Sequence, residues 1–123
     1  MKNILLVGFG GGLGSVARYL CQRGMPWYPH LFPTGTFVVN LLGCFLIGVF
    51  YGLAEKENVF TPDVRLLLTT GFCGGYTTFS TFALENVILY KNNEFLYFGL
   101  YIAASVILGI VATFCGILLL KTF

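Results

Sequence analysis

GFCGGYTTFSTF, residues 71–82, is the stretch on which the reading of the chain turns. Three glycines and four serine or threonine residues stand there inside a window otherwise apolar enough to cross a bilayer. In hydrocarbon every backbone N–H and C=O needs a partner inside the protein, so a helix is interrupted at mid-depth only where the freed groups face protein, water or an ion. The Gly74, Gly75 pair is the expected interruption, with the helix stopping near Cys73 and restarting near Thr77 or Thr78. The second half-helix would then point its N–H groups and positive dipole end at the gap, beside the free carbonyls of the first half. Such a gap is an ion site in outline. Glycines and hydroxyls also let ordinary membrane helices pack closely, and composition alone leaves both readings open. Density favours the ion site: Thr77, Thr78, Ser80 and Thr81 interleave with Tyr76, Phe79 and Phe82 at helical spacing.

Outward from this stretch, the whole chain is apolar. Its 123 residues are 57% hydrophobic and 10% charged, which predicts an all-α integral membrane protein with no room for a second domain. Four windows have the roughly 20 residues a crossing helix needs: about 3–22, 34–53, 64–90 and 95–120, one four-span domain over residues 1–123. The first opens with a lysine and an apolar run like a signal peptide. It lacks an A-x-A cleavage site and continues into Arg18, so it is expected to be retained as a span. Residues 23–33, with Pro26, Trp27, Tyr28, Pro29 and His30, form an interfacial loop with aromatic anchors. Residues 54–63 and 91–94 are short polar connections.

Several function classes are excluded at this level. A net charge of +2 from scattered residues gives no basic face for nucleic acid. Cys21, Cys44, Cys73 and Cys115 lie far apart with no CxxC pair, and read as small apolar packers. A lone loop histidine and scattered acids assemble neither a nucleophile with its base nor a metal cluster, so no enzyme is expected.

Each window carries polar residues with two uses. In the first, Gly8 with Gly12 and Gly10 with Gly14 are small-xxx-small pairs that predict a helix contact; a nucleotide loop fails because Leu13 stands where a glycine is needed. Arg18 either snorkels to the interface or lines a vestibule that attracts anions. In the second window Thr36, Asn40 and Gly43 share one face. Asn40 either bonds a neighbouring helix or donates to an anion at the depth of the span-three gap. Glu85, the sole carboxylate inside any window, either reaches the interface or serves function. In the fourth, Tyr101, Ser105, Gly109 and Thr113 stand at four-residue spacing, a packing seam or a track for an ion.

Orientation is undecided by charge. Lys2, Lys56, Arg65 and Lys121 fall on one side, and Arg18, Arg23 and Lys91 on the other, four against three. The positive-inside rule works on such differences, so a near tie predicts weak orientation or insertion both ways. Four spans are too few to enclose a pore alone, which predicts an oligomer, a two-fold dimer with its halves parallel or antiparallel.

With GGLGSVARY in the first window, GTFVVNLLGCFLIG in the second and above all GFCGGYTTFSTF in the third, the whole chain resembles the small bacterial fluoride channels, called Fluc or CrcB proteins. The resemblance implies a multi-pass protein of the bacterial inner membrane. It implies an antiparallel dual-topology dimer with a second copy or a paralogue, two separate fluoride pores, and a third helix broken at mid-membrane. A structural sodium ion would be held by the backbone carbonyls of Gly74 and Thr77. Phe79 and Phe82 look like the two phenylalanines whose ring edges face the ion, with Ser80 and Thr81 between them, and Asn40 is similar to the pore asparagine. Tyr101, Ser105 and Thr113 look like the polar track of the fourth span, with Gly109 where some members have serine. Arg18 and Glu85 match the family's vestibule arginine and span-three acid.

The chemistry agrees with that resemblance. Fluoride is small and strongly hydrated, so closely spaced donors such as Asn40, Ser80, Thr81, Ser105 and Thr113 must replace its water. Aromatic rings have negative faces and positive edges, so Phe79 and Phe82 help only edge-on. Two alternatives compete: a dual-topology small-molecule/proton exporter, which would need an acid deep in its cavity, and a non-transporting assembly subunit, in which these features only pack.

Overall fold

The computed structural model describes residues 1–56 and 59–122; Glu57, in the expected 54–63 connection, lies outside the described residues. The secondary structure among the described residues is all helical, with no strand. Helices α1 (Lys2–Arg23), α2 (Thr34–Glu55) and α6 (Phe95–Lys121) are each long and apolar enough to cross a membrane. The third window is divided: α3 (Pro62–Leu66) runs into a π-helical segment (Leu67–Cys73) and α4 (Gly74–Tyr76), and α5 (Phe79–Lys91) follows after two residues. Thr61 starts α3 by accepting a hydrogen bond from Val64 N–H at 3.2 Å. A turn at Asn93, in the left-handed region at φ 59°, links α5 to α6; asparagine tolerates that conformation better than most residues.

Two glycine seams hold the helices together. On α1, Gly10 and Gly14 are buried against the π-helical segment and α4. A Cβ at Gly75 would lie 2.9 Å from Gly11 Cα, so only glycine permits this backbone approach. On the other side α2 packs along α6, where Gly48 meets the Thr113 carbonyl and Gly116 meets the Phe45 carbonyl. Of the two pairs expected on α1, Gly10 with Gly14 makes the contact. Gly8 and Gly12 face open space in the single chain.

Within the third window, from Pro62 to Tyr90, the non-helical residues are Thr77 (φ −85°, ψ 158°) and Thr78 (φ −148°, ψ 118°). The glycine pair, expected as the interruption, is not: Gly74 begins α4, and Thr77 N–H still donates to the Cys73 carbonyl at 3.1 Å. The physical reason is the seam, which uses Gly75 for close approach and keeps it helical.

The backbone groups released at Thr78 are taken up by one side chain. In a continuous helix its N–H would donate to Gly74; here it donates to Asn40 Oδ1 at 2.9 Å, while Asn40 Nδ2 donates to the Thr78 carbonyl at 3.1 Å. The amide thus bonds the extended residue as a neighbouring strand would. Thr78 also caps α5, its hydroxyl accepting from Thr81 N–H at 3.2 Å. The Thr77 carbonyl accepts from Arg18 Nη1 at 3.3 Å.

Two substitutions test this arrangement by unfolding in detergent. Gly14→Ala forces a methyl against the Phe72 carbonyl and the Tyr76 N–H, and should cost about 1–3 kcal/mol, whereas Gly8→Ala should stay within about 0.5 kcal/mol of wild type. Asn40→Ala strips both partners from Thr78 and should cost about 1–3 kcal/mol; a wild-type midpoint would show that those groups bond elsewhere.

Candidate functional site

The break opens on a cavity of about 640 Å³ whose walls include Asn40, Gly74, Thr77, Phe79, Phe82 and Ser105. Each element contributes for a local reason. The Asn40 face of α2 is turned to the break by the amide bonds described above. Phe79 and Phe82 follow from the first turn of α5, three residues apart and so on one side, with ring centroids 5.7 Å apart and planes inclined at 46°. Ser105 comes from α6, next to Val106 of the same wall.

The donors on this wall differ in what they have left to give. Asn40 carries two amide hydrogens, one of which goes to the Thr78 carbonyl. Ser105 Oγ is buried and has no hydrogen-bond partner among the described residues. Buried polar atoms are nearly always paired, so the Ser105 hydroxyl, on a residue of the cavity wall, stands out as a donor whose proton is uncommitted among the described residues. Thr77 has no such freedom, since its hydroxyl donates to the Cys73 carbonyl at 2.9 Å.

The other expected site residues lie off this wall. Thr81 and Ser80 bond within the first turn of α5: Thr78 Oγ1 donates to Thr81 Oγ1 at 3.1 Å and lies 3.4 Å from Ser80 Oγ. Thr113 shares its one hydroxyl proton between the carbonyls of Cys44, at 3.1 Å, and Gly109, at 3.0 Å. Gly109 is buried, and a Cβ there would sit 3.4 Å from Cys44 Sγ. Arg18 reaches Thr77 from α1, and Ser15, one turn earlier, donates to the Gly75 carbonyl at 3.4 Å.

Glu85 and Tyr101 form a separate buried centre. Tyr101 is 0% exposed and donates to Glu85 Oε1 at 2.8 Å; Glu85, 8% exposed, accepts at Oε2 from Thr36 Oγ1 at 3.0 Å. Gln22 Nε2 donates to the Thr36 hydroxyl at 3.0 Å. The direction of this chain is fixed by valence: Thr36 has one proton, and with that proton on Glu85 it can only accept from Gln22. Around the phenol ring stand Phe82 at 4.8 Å, Phe32 at 5.4 Å and Phe37 at 6.5 Å. Phe82 therefore touches both the cavity and this centre.

Sequence reasoning gave no role to Gln22 and noted Thr36 only for sharing a face with Asn40. The available signal was their polarity at the end of α1 and the start of α2, which a short loop brings together. Thr78 is expected from the sequence as one of a dense set of hydroxyls and as a candidate restart of the helix; its place as cap and extended residue needs coordinates.

Comparison with known proteins identifies the family. The family model described as CrcB-like protein, Camphor Resistance (CrcB), matches residues 5–117. The chain is 48% identical over 122 residues to a protein of Flavobacterium psychrophilum named fluoride-specific ion channel FluC, covering 98% of both. Its counterparts in Chlorobaculum tepidum and Gloeothece citriformis, with the same name, are 53% and 49% identical over 121 and 122 residues. These alignments cover 98% of this chain and 96% and 98% of the relatives. With its long apolar helices, the chain is a multi-pass membrane protein, and it belongs to the CrcB-like family.

Proposed function

We propose that the chain is a passive, fluoride-selective channel of a bacterial inner membrane that lets fluoride leave the cell down its electrochemical gradient. The observation that carries the reading is the unpartnered Ser105 hydroxyl on a cavity wall shared with Asn40, Phe79 and Phe82. The relatives' printed name supplies the ion. A proton-driven exporter would need an acid in its cavity, and among the described residues no Asp or Glu lines this one.

In this reading the ion exchanges water for fixed dipoles. Ser105 Oγ–H and the second Asn40 amide hydrogen donate to it, and Phe79 and Phe82 offer their positive ring edges. Neutral donors replace hydration without holding the ion so strongly that it cannot leave.

The reading extends to assembly. Phe79 is 79% exposed and Gly74 is exposed beside it, so the wall is incomplete in one chain. A second copy, or a paralogue, inserted antiparallel would close it, form two pores per dimer, and place the third helix's break at mid-membrane. The remaining exposed apolar side chains, such as Leu5, Ile107 and Phe114, would face lipid. Carbonyl oxygens suit a hard cation, and the carbonyls of Gly74 and Thr77 lose their helical N–H partners, which go to Asn40 and Thr78. Two such oxygens per chain, with Arg18 on one of them, would make half of a shared sodium site. When bound, that ion supplies fixed positive charge at the dimer centre.

Fluoride release from liposomes, with the potential clamped by a potassium ionophore and chloride as control, tests the channel. Ser105→Ala removes one donor worth about 1–1.5 kcal/mol and should slow fluoride about tenfold. Because the lost group is an unsatisfied hydroxyl, the thermal midpoint should stay level or rise, and slow flux through a destabilised protein would contradict the assignment. Phe82→Ile nearly keeps volume and polarity but removes the ring edge, so flux should fall; a wild-type rate would take aromatic edges out of the path.

A further inference from the structure

A second cavity, of about 270 Å³, lies toward the start of α3 and is walled by Phe60, Thr61, Arg65, Thr69 and Thr70 among others. Thr69 and Thr70 also line the larger cavity. The two spaces are thus neighbours through one wall, and Arg65 stands at the outer one. From these observations we propose that Arg65 and Thr70 form a loading site for small inorganic anions, halides in particular, that fills the larger cavity. The proposal rests on the channel reading above and assigns residues to the mouth of its path.

The backbone explains why these residues line up. In the π-helical segment hydrogen bonds run from i to i+5, so residues four or five apart share a face. Arg65, Thr70 and Gly74 follow one another at that spacing, from the outer cavity to the break.

Hydrogen bonding separates the two threonines. Thr69 Oγ1 donates to the Arg65 carbonyl at 2.7 Å, which uses its only proton. Thr70 is exposed and makes no side-chain hydrogen bond among the described residues, so its proton is available to a passing anion.

Among the described residues the guanidinium is likewise uncommitted. Asp63, the nearest acid in sequence, is paired with Lys2 at 3.0 Å, and this ion pair, the one found among the described residues, leaves Arg65 out. A permanent charge with five N–H donors, in a cleft with low-dielectric walls, concentrates anions at the mouth. Placed outside the larger cavity, it does so without trapping them within it.

Single-channel or macroscopic fluoride current in planar bilayers of zwitterionic lipid, measured against fluoride concentration, tests the assignment. Arg65→Gln should raise the half-saturating fluoride about threefold or more and leave the maximal current unchanged. About 1 M inert salt should erase the deficit by screening, and Arg65→Lys should keep most of the wild-type curve. Thr70→Val should lower current at low fluoride. An Arg65→Gln curve equal to wild type overturns the proposal, as does one scaled down equally at every concentration, the sign of a merely structural role. Wild-type protein that passes no fluoride overturns the channel reading and the loading site together, whereas wild-type conduction with an indifferent Arg65→Gln overturns the loading site alone.

Discussion

The peptide groups of Thr77 and Thr78 must find partners inside the protein, and most of the architecture follows from how they do. An unpaired buried peptide group costs about 1–3 kcal/mol, so two adjacent extended residues between helices need several donors and acceptors delivered from elsewhere. They come from far along the chain: Arg18 on α1 takes the Thr77 carbonyl, and Asn40 on α2 takes both groups of Thr78. The glycine seams make that delivery possible. Gly14 and Arg18 are four apart and share a face of α1, so the contact that buries Gly14 also aims Arg18 at the break. One face of α2 is addressed to successive levels of the third segment in the same way. Gly43 leaves room for the Thr77 side chain, Asn40 meets Thr78, and Thr36 meets Glu85.

Hydroxyl groups are abundant around the break, yet few have a proton to offer. Thr36, Thr77, Tyr101 and Thr113 each direct theirs at a carboxylate or a carbonyl. Thr78 gives its proton to Thr81 and uses its oxygen as a cap. Most of the polar density thus stabilises a broken helix, and only a small remainder faces the cavity. The two readings of these residues, packing and ion binding, therefore apply to different members of one set.

How much of this could be read from residues alone varied by level. Three long helices follow from apolar length, and the family from motifs that span the chain. The restart of the helix after Thr78 also follows, whereas the start of the interruption does not, because glycine reads as a helix breaker while Gly75 serves as a contact surface. Nor does the division of the span-four stripe, in which Tyr101 turns inward to Glu85, Ser105 faces the cavity and Thr113 bonds Cys44. Spacing places these side chains on one face. Which of them meets a carbonyl depends on the register of α2 against α6, set by Gly48 and Gly116, and no local pattern encodes it.

The distribution of formal charge bears on what the cavity could pass. Among the described residues its walls carry no Asp, Glu, Lys or Arg. Two ionisable groups close to the break are held by other partners: Arg18 lies on a backbone carbonyl, and Glu85 is enclosed by two hydroxyl donors. A guanidinium about 4 Å from an anion at an effective dielectric constant of about 20 would attract it by roughly 4 kcal/mol, enough to slow its departure by about a thousandfold. A neutral hydroxyl or amide contributes about 1 kcal/mol net, which slows departure by less than about tenfold. In the proposed channel, cations belong at the mouth, where attraction raises the rate of arrival, and dipoles belong inside, where each contact has to be surrendered before the next is made.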